Sequence, residues 1–160
     1  MNELNTEKAI FVVPKAVAEN LSDSYKTQLV IIGNGESTKQ LGISISAIPM
    51  YNLPEADDSR HPKGRGNGYI LELGGEKVYI SGDTEDIQEM RSLKNIDLAF
   101  VCMNLPFTMD VNQAASAVLE FKPGIVYPYH YRGQDTEQFR NLVRSKSDEI
   151  EVRLRNWYPD

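Results

Sequence analysis

Three residues of this 160-residue chain have types and positions suited to chemistry: His61, Asp83 and His130. They are both of its histidines and one of its twenty-three acidic side chains. Asp83 lies between Gly82 and Thr84, directly after the apolar run Val78-Tyr79-Ile80, so its carboxylate emerges at a strand end on a sharp turn. A carboxylate held there suits a cation. His61 precedes Pro62-Lys63-Gly64 in a polar loop, and His130 stands between Tyr129 and Tyr131 behind another apolar run. Read singly, each has an ordinary explanation. Gly-Asp-Thr is a common turn with an Asx-type bond, His61 reads as a solvated surface residue, and His130 as a core histidine bonded to backbone.

Placing such groups requires a framework, and the hydrophobic pattern describes alternating strands and helices. Residues 9–13 are an apolar, β-rich run ended by Pro14, and 15–21 read as a short helix. Residues 28–32 give a second strand, stopped by Gly33-Asn34-Gly35. Residues 43–48 alternate apolar and polar, as a half-buried third strand expected to pair with the second. From 50 to 67 runs a polar loop of a length that is usually functional or disordered. Strands at 69–73 and 76–81 flank Gly74-Gly75, a dipeptide that accepts the positive φ of a tight hairpin.

A short helix at 86–93 precedes the apolar run 96–103, which reads as a central strand buried on both faces. Val111, Ala114, Ala115, Val118 and Leu119 recur at helical spacing, with Thr108 and Asp110 as N-terminal caps and Pro123-Gly124 as the stop. A strand at 125–130, a last helix at 134–145 and a terminal edge strand at 151–155 follow. No internal repeat or linker interrupts the pattern, so residues 1–160 read as one α/β domain.

Composition narrows the function classes. Hydrophobic residues are 41% and charged residues 25%, the balance of a globular domain. Seventeen basic against twenty-three acidic side chains leave a net charge of -6, which argues against a nucleic acid or anionic membrane partner. Cys102, the single cysteine, lies in an apolar run, so an intrachain disulfide is impossible and a buried thiol in a reducing cytoplasm is expected. No apolar run approaches a bilayer span, and residues 1–8 lack a basic-then-apolar signal pattern.

Taken together and in order, four segments resemble the later half of the metallo-β-lactamase fold, in the branch of ascorbate-6-phosphate lactonase-like and related small metal-dependent hydrolases. They are the loop from Tyr51-Asn52-Leu53 through His61-Pro62-Lys63-Gly64, the strand Gly68 to Glu72, Val78 through Gly82-Asp83-Thr84, and Lys122-Pro123 with Pro128-Tyr129-His130-Tyr131. The resemblance runs from about Ile10 to Trp157 and implies a partial αββα sandwich, mainly its C-terminal half. It also implies that His61 is the third histidine of a first metal site, Asp83 the carboxylate bridging two metals, and His130 the histidine of the second. Asp83 and His130 would then be the catalytic pair, and zinc or manganese the cofactor. Two such ions acidify a shared water and stabilise the oxyanion formed on the attacked group.

One departure is large. The family's His-x-His-x-Asp-His motif has no counterpart here, and the chain is expected to begin just beyond it, without the first β-half of the sandwich. That leaves His61 and Asp83 for one ion and His130 and Asp83 for the other, so metal binding by this chain alone is expected to be weak or absent. Lys63, Arg65 and Arg132 lie beside the ligand positions as anchors for an anionic substrate group, with Asn104 lining the same cleft. Two functions follow. One is a metal-dependent hydrolase of small esters, lactones or phosphodiesters. The other is a non-catalytic domain whose uncovered sheet pairs with another chain or with a second copy of itself.

Overall fold

The structure is a computed structural model and describes residues 6–158. The reading of the N-terminus as lacking a signal pattern falls mostly on residues 1–5, outside the described residues. A seven-stranded mixed sheet forms the body, in the order β3 (Ser37–Gln40), β4 (Ile43–Met50), β5 (Gly66–Leu73), β6 (Glu76–Ile80), β7 (Leu98–Cys102), β8 (Ile125–Tyr129) and β9 (Glu151–Val152). β3 to β6 run antiparallel through hairpins, and β6 to β9 run parallel through helical crossovers. A separate two-stranded parallel sheet joins β1 (Phe11–Val13) to β2 (Leu29–Ile31) across α1 (Lys15–Ala18) and a 3-10 turn at Asp23–Gln28.

Burial differs between the two faces of the large sheet. Tyr79, Ala99, Val126 and Val152 are neighbours in register across β6 to β9, and each is at most 3% exposed. They pack with α2 (Gln88–Arg91), α3 (Val111–Phe121) and α4 (Thr136–Arg144) through Met90, Ala114, Val118, Phe121, Phe139 and Val143. Each large side chain withdrawn from water there stabilises the fold by roughly 1.5–3 kcal/mol. On the opposite face, Ile45, Leu71, Val78, Leu98 and Ile125 form a second register row, and all five are only half-buried. Phe100 stacks on Tyr127 there, with ring centroids 5.4 Å apart, and Trp157 folds back onto both. The small sheet is bonded to one part of this face, where the Tyr69 hydroxyl donates to Val12 O at 3.1 Å.

Local chemistry explains most boundaries. α3 begins at Asp110, whose carboxylate accepts from the Gln113 amide while the Gln113 side chain accepts from the Asp110 N–H, a reciprocal capping box. It ends at Lys122 in the left-handed region, and Pro123 cannot continue it. Thr108 is not a second cap. Its hydroxyl accepts from the Asn104 N–H at 2.7 Å and closes the turn before the helix.

Three further expectations are corrected. Residues 28–32 do not pair with 43–48, because β2 pairs with β1, and β4 takes β3 and β5 as neighbours. The strand at 98–102 is not buried on both faces, since Leu98 and Phe100 lie on the half-covered side. The helix at 15–21 is a single turn, Lys15–Ala18, followed by bends and the 3-10 segment. Cys102 is fully buried, and burial pushes its thiol above the ordinary range.

Tyr79 is the least comfortable core residue. It is fully buried edge-on to Phe121, yet its hydroxyl finds no hydrogen-bond partner among the described residues. Replacing a buried, unpaired hydroxyl by hydrogen removes a desolvation cost and little packing. Tyr79→Phe is therefore expected to raise stability by about 1 kcal/mol, read as a higher urea midpoint at unchanged slope. A fall of similar size would show a partner, such as a buried water.

Candidate functional site

The Ser81-Gly82-Asp83-Thr84 turn leaves β6 at the end of the sheet where the strands switch from antiparallel to parallel pairing. Fully buried Thr84 pins it, its hydroxyl accepting from the Tyr51 N–H at 3.2 Å and facing Tyr51 O at 3.3 Å. The Glu85 N–H donates to the same carbonyl at 2.9 Å. The loop that carries His61 is thus bonded at its root to the turn that carries Asp83.

Asn52 holds the other end of that loop. The Asn52 N–H donates to His61 O at 2.9 Å, the His61 N–H donates to Asn52 Oδ1 at 2.8 Å, and Asn52 Nδ2 donates to Phe107 O at 2.9 Å. The His61 ring points its Nδ1 at the same Phe107 carbonyl, 3.2 Å away. A carbonyl only accepts, so the ring proton belongs on Nδ1 and the Nε2 lone pair is left free. That is the tautomer a ligand needs, and the backbone carbonyl acts as its orienting partner.

Nε2 of His61 lies 3.7 Å from Asp83 Oδ2, and Nε2 of His130 lies 3.7 Å from the same oxygen. The three residues read from the sequence therefore meet around one carboxylate that is 40% exposed. His130 reaches this place from β8 with its own backbone at φ +49, a left-handed conformation that non-glycine residues adopt at a cost. Asn104, 5% exposed, donates from Nδ2 to His130 Nε2 at 3.0 Å. The Asn104 amide thus occupies the lone pair that a cation would use.

Two imidazoles and a carboxylate are the donor chemistry of a zinc, manganese or iron site. Donor atoms 3.7 Å apart can each sit about 2.1 Å from a shared ion. His61 and Asp83 are free to donate, and His130 becomes the third donor once the Asn104 amide turns away from its Nε2, so the residues complete at most one such site. Among the described residues, no group of three or more His, Cys, Asp or Glu is already arranged to hold an ion. The residues fit one cation held loosely, and they do not fit two.

The other expected contacts separate. Lys63 pairs with Glu55 of its own loop at 2.9 Å and with Glu89 of α2 at 3.4 Å and lies over the Tyr51 ring, so its charge is matched locally. Arg132 is exposed next to Tyr131 and makes no hydrogen bond or ion pair among the described residues. Arg65 lines a cavity of about 620 Å³ together with His61 and Arg60. Asn52, the Phe107 carbonyl and Arg60 were not legible as site residues. Asn52 sits inside the segment that carries the family resemblance, whereas a backbone carbonyl leaves no mark in sequence.

The mixed sheet, its layer of helices on one face and the loop-borne cluster at its end define an α/β protein of the metallo-β-lactamase type. The chain belongs to the beta-lactamase superfamily, whose domain model matches residues 1–131. A metal-dependent hydrolase of Thermococcus onnurineus is 35% identical over 118 residues, covering 68% of this chain and 52% of the relative. A metal-dependent hydrolase of Pyrococcus horikoshii is 31% identical over 143 residues, covering 84% and 63%. The crystal structure of a Parabacteroides distasonis protein assigned as a metal-dependent hydrolase superimposes with a TM-score of 0.81 at 39% identity, over 91% of this chain and 64% of that one. The chain therefore spans between half and two thirds of the length of these relatives.

Proposed function

We propose that this chain carries the Asp83-centred part of a metal-dependent hydrolase site acting on a small ester, lactone or phosphodiester, in the cytoplasm. The observation that carries the reading is the convergence of His61 and His130, from separate loops, on one oxygen of Asp83. Asp83 with His61 and His130 would hold zinc or manganese, which when bound supplies Lewis acidity toward water and toward the attacked carbonyl or phosphoryl group. The protein's own part is orientation and proton transfer. The Phe107 carbonyl and Asn52 hold His61 with its Nε2 lone pair toward Asp83. Asp83, 40% exposed at the cleft, keeps a second carboxylate oxygen placed to take a proton from a bound water, and Asn104 fixes the His130 ring beside it.

The test is metal content and turnover measured together. Protein purified without chelator is expected to carry well under one equivalent of zinc or manganese by inductively coupled plasma analysis. Added manganese or zinc is expected to be needed for hydrolysis of ester, lactone or phosphodiester substrates. Absence of both binding and turnover at millimolar metal would sink the hydrolase reading, and a full equivalent retained through purification would sink the weak-site reading.

The half-covered row Ile45, Leu71, Val78, Leu98 and Ile125 favours a second reading, a domain that completes its sandwich against another copy of itself. Light scattering after size exclusion is expected to give a dimer, and Leu98→Lys, inside that row, to give a monomer. A wild-type monomer at micromolar concentration would remove this reading.

A further inference from the structure

We propose that the cavity between α1 and the His61 loop binds the anionic group of the substrate, with Arg60 and Arg65 as its two anchors. This rests on the hydrolase reading for the identity of the ligand as substrate, while the binding itself stands on separate observations. The cavity has a volume of about 620 Å³, and its lining includes Asn20, Leu21 and Met50 together with Arg60, His61 and Arg65. That is ample for a small molecule. His61 belongs to both the cavity wall and the Asp83 cluster, so a ligand with its anionic group at the arginines lies next to the reacting centre.

Three cations occupy the stretch from 60 to 65, and the structure sorts them. Lys63 is paired with Glu55 and Glu89. Neither Arg60 nor Arg65 meets a carboxylate among the described residues, as is also true of Arg132 and Arg155, whereas Arg91, Arg140 and Arg153 each form an ion pair; what sets Arg60 and Arg65 apart is that they line one cavity. Arg60 is also held in place. Its guanidinium lies over the Phe107 ring, 4.4 Å from the centroid, and the Phe107 carbonyl is the group that orients His61. A guanidinium over an aromatic ring makes no hydrogen bond to it through its N–H edge, which stays available for two parallel bonds to an oxyanion. In a chain of net charge -6, two unmatched guanidiniums at one cavity are a local feature and not a consequence of general basicity. Leu21 and Met50 in the same lining fit a short apolar body, which makes the ligand an organic phosphate or carboxylate.

Chelator-treated full-length protein titrated with inorganic phosphate by calorimetry tests this without any metal. Saturable binding is expected in the millimolar range, weakening with added salt. Arg60→Ala and Arg65→Ala are each expected to raise the dissociation constant about tenfold. Arg65→Lys should recover part of the loss, and Arg144→Ala, on α4, should change nothing. No saturation up to about 50 mM phosphate, or an equal loss in Arg144→Ala, would overturn the proposal. Acetate titrated in parallel separates a carboxylate from a phosphoryl group, the tighter ligand naming the class. Metal binding and turnover on the same samples keep the two readings apart. Phosphate bound with neither zinc nor manganese binding nor turnover at millimolar metal leaves the anion site standing and removes the hydrolase, and metal-dependent turnover without phosphate binding does the reverse.

Discussion

Gly82→Ala is expected to lower folding stability by about 3 kcal/mol and to displace Asp83 from its two histidines. Gly82 has φ +67, a region where an L side chain costs about 1–2 kcal/mol. A Cβ there would stand 2.8 Å from Asn67 O and 3.0 Å from Met50 Sδ. The methionine can give way, but the carbonyl belongs to a buried residue of β5 whose side chain is itself bonded to Ile32 O and accepts from Asn34. Nor can the turn move outward freely, because Gly82 O accepts from the Ser81 and Tyr129 hydroxyls. Gly64 separates the two contributions, having φ +85 with open space where its Cβ would be. Gly64→Ala is expected to cost about 1 kcal/mol. Equal losses for the two variants in urea denaturation would show that the approach of Asn67 O carries no penalty.

Asp83→Ala is expected to lower zinc affinity at least a hundredfold while leaving stability within about 0.5 kcal/mol. The carboxylate is the single group that both imidazoles face, so its loss removes the negative charge and the shared donor in one step. Loss of a group that merely orients a ligand lowers metal affinity about 10–100-fold, and loss of a ligand exceeds that. Stability is little affected because the Asp83 side chain is 40% exposed and the Thr84 and Ser81 bonds that hold the turn do not involve it. Competition against a chelating dye reads the affinity. Asp83→Asn, which keeps the shape and removes the charge, is expected to fall between the two. Unchanged affinity in both variants would place the cation elsewhere on the protein.

The two effects have different roots in the sequence. Asp83 was legible because Gly82 and Thr84 bracket it after an apolar run, and the flanking segments resemble one family. His61 and His130 became site residues only through that order, since each alone has a bland explanation. The strand at Ser37–Gln40 left no signal, because an edge strand can be polar on both faces when neither is fully buried. The expected pairing of 28–32 with 43–48 failed for a related reason. Short apolar strands fit many neighbours, and the crossover through α1 brought β2 beside β1 instead.

By itself the sequence determined most of the strands and helices of the large sheet, the Gly74-Gly75 hairpin, the cap at Asp110, the buried thiol of Cys102 and the three chemically capable residues. These depend on local periodicity, turn chemistry and residue type, which a chain carries wherever it folds. The tertiary structure alone decided that His61 and His130 share one oxygen of Asp83, that Lys63 is neutralised locally, and that Arg60 and Arg65 face a common cavity. It also decided which sheet face stays half-covered. Those outcomes follow from strand register and from backbone groups such as the Phe107 carbonyl, which every residue possesses and no sequence pattern distinguishes.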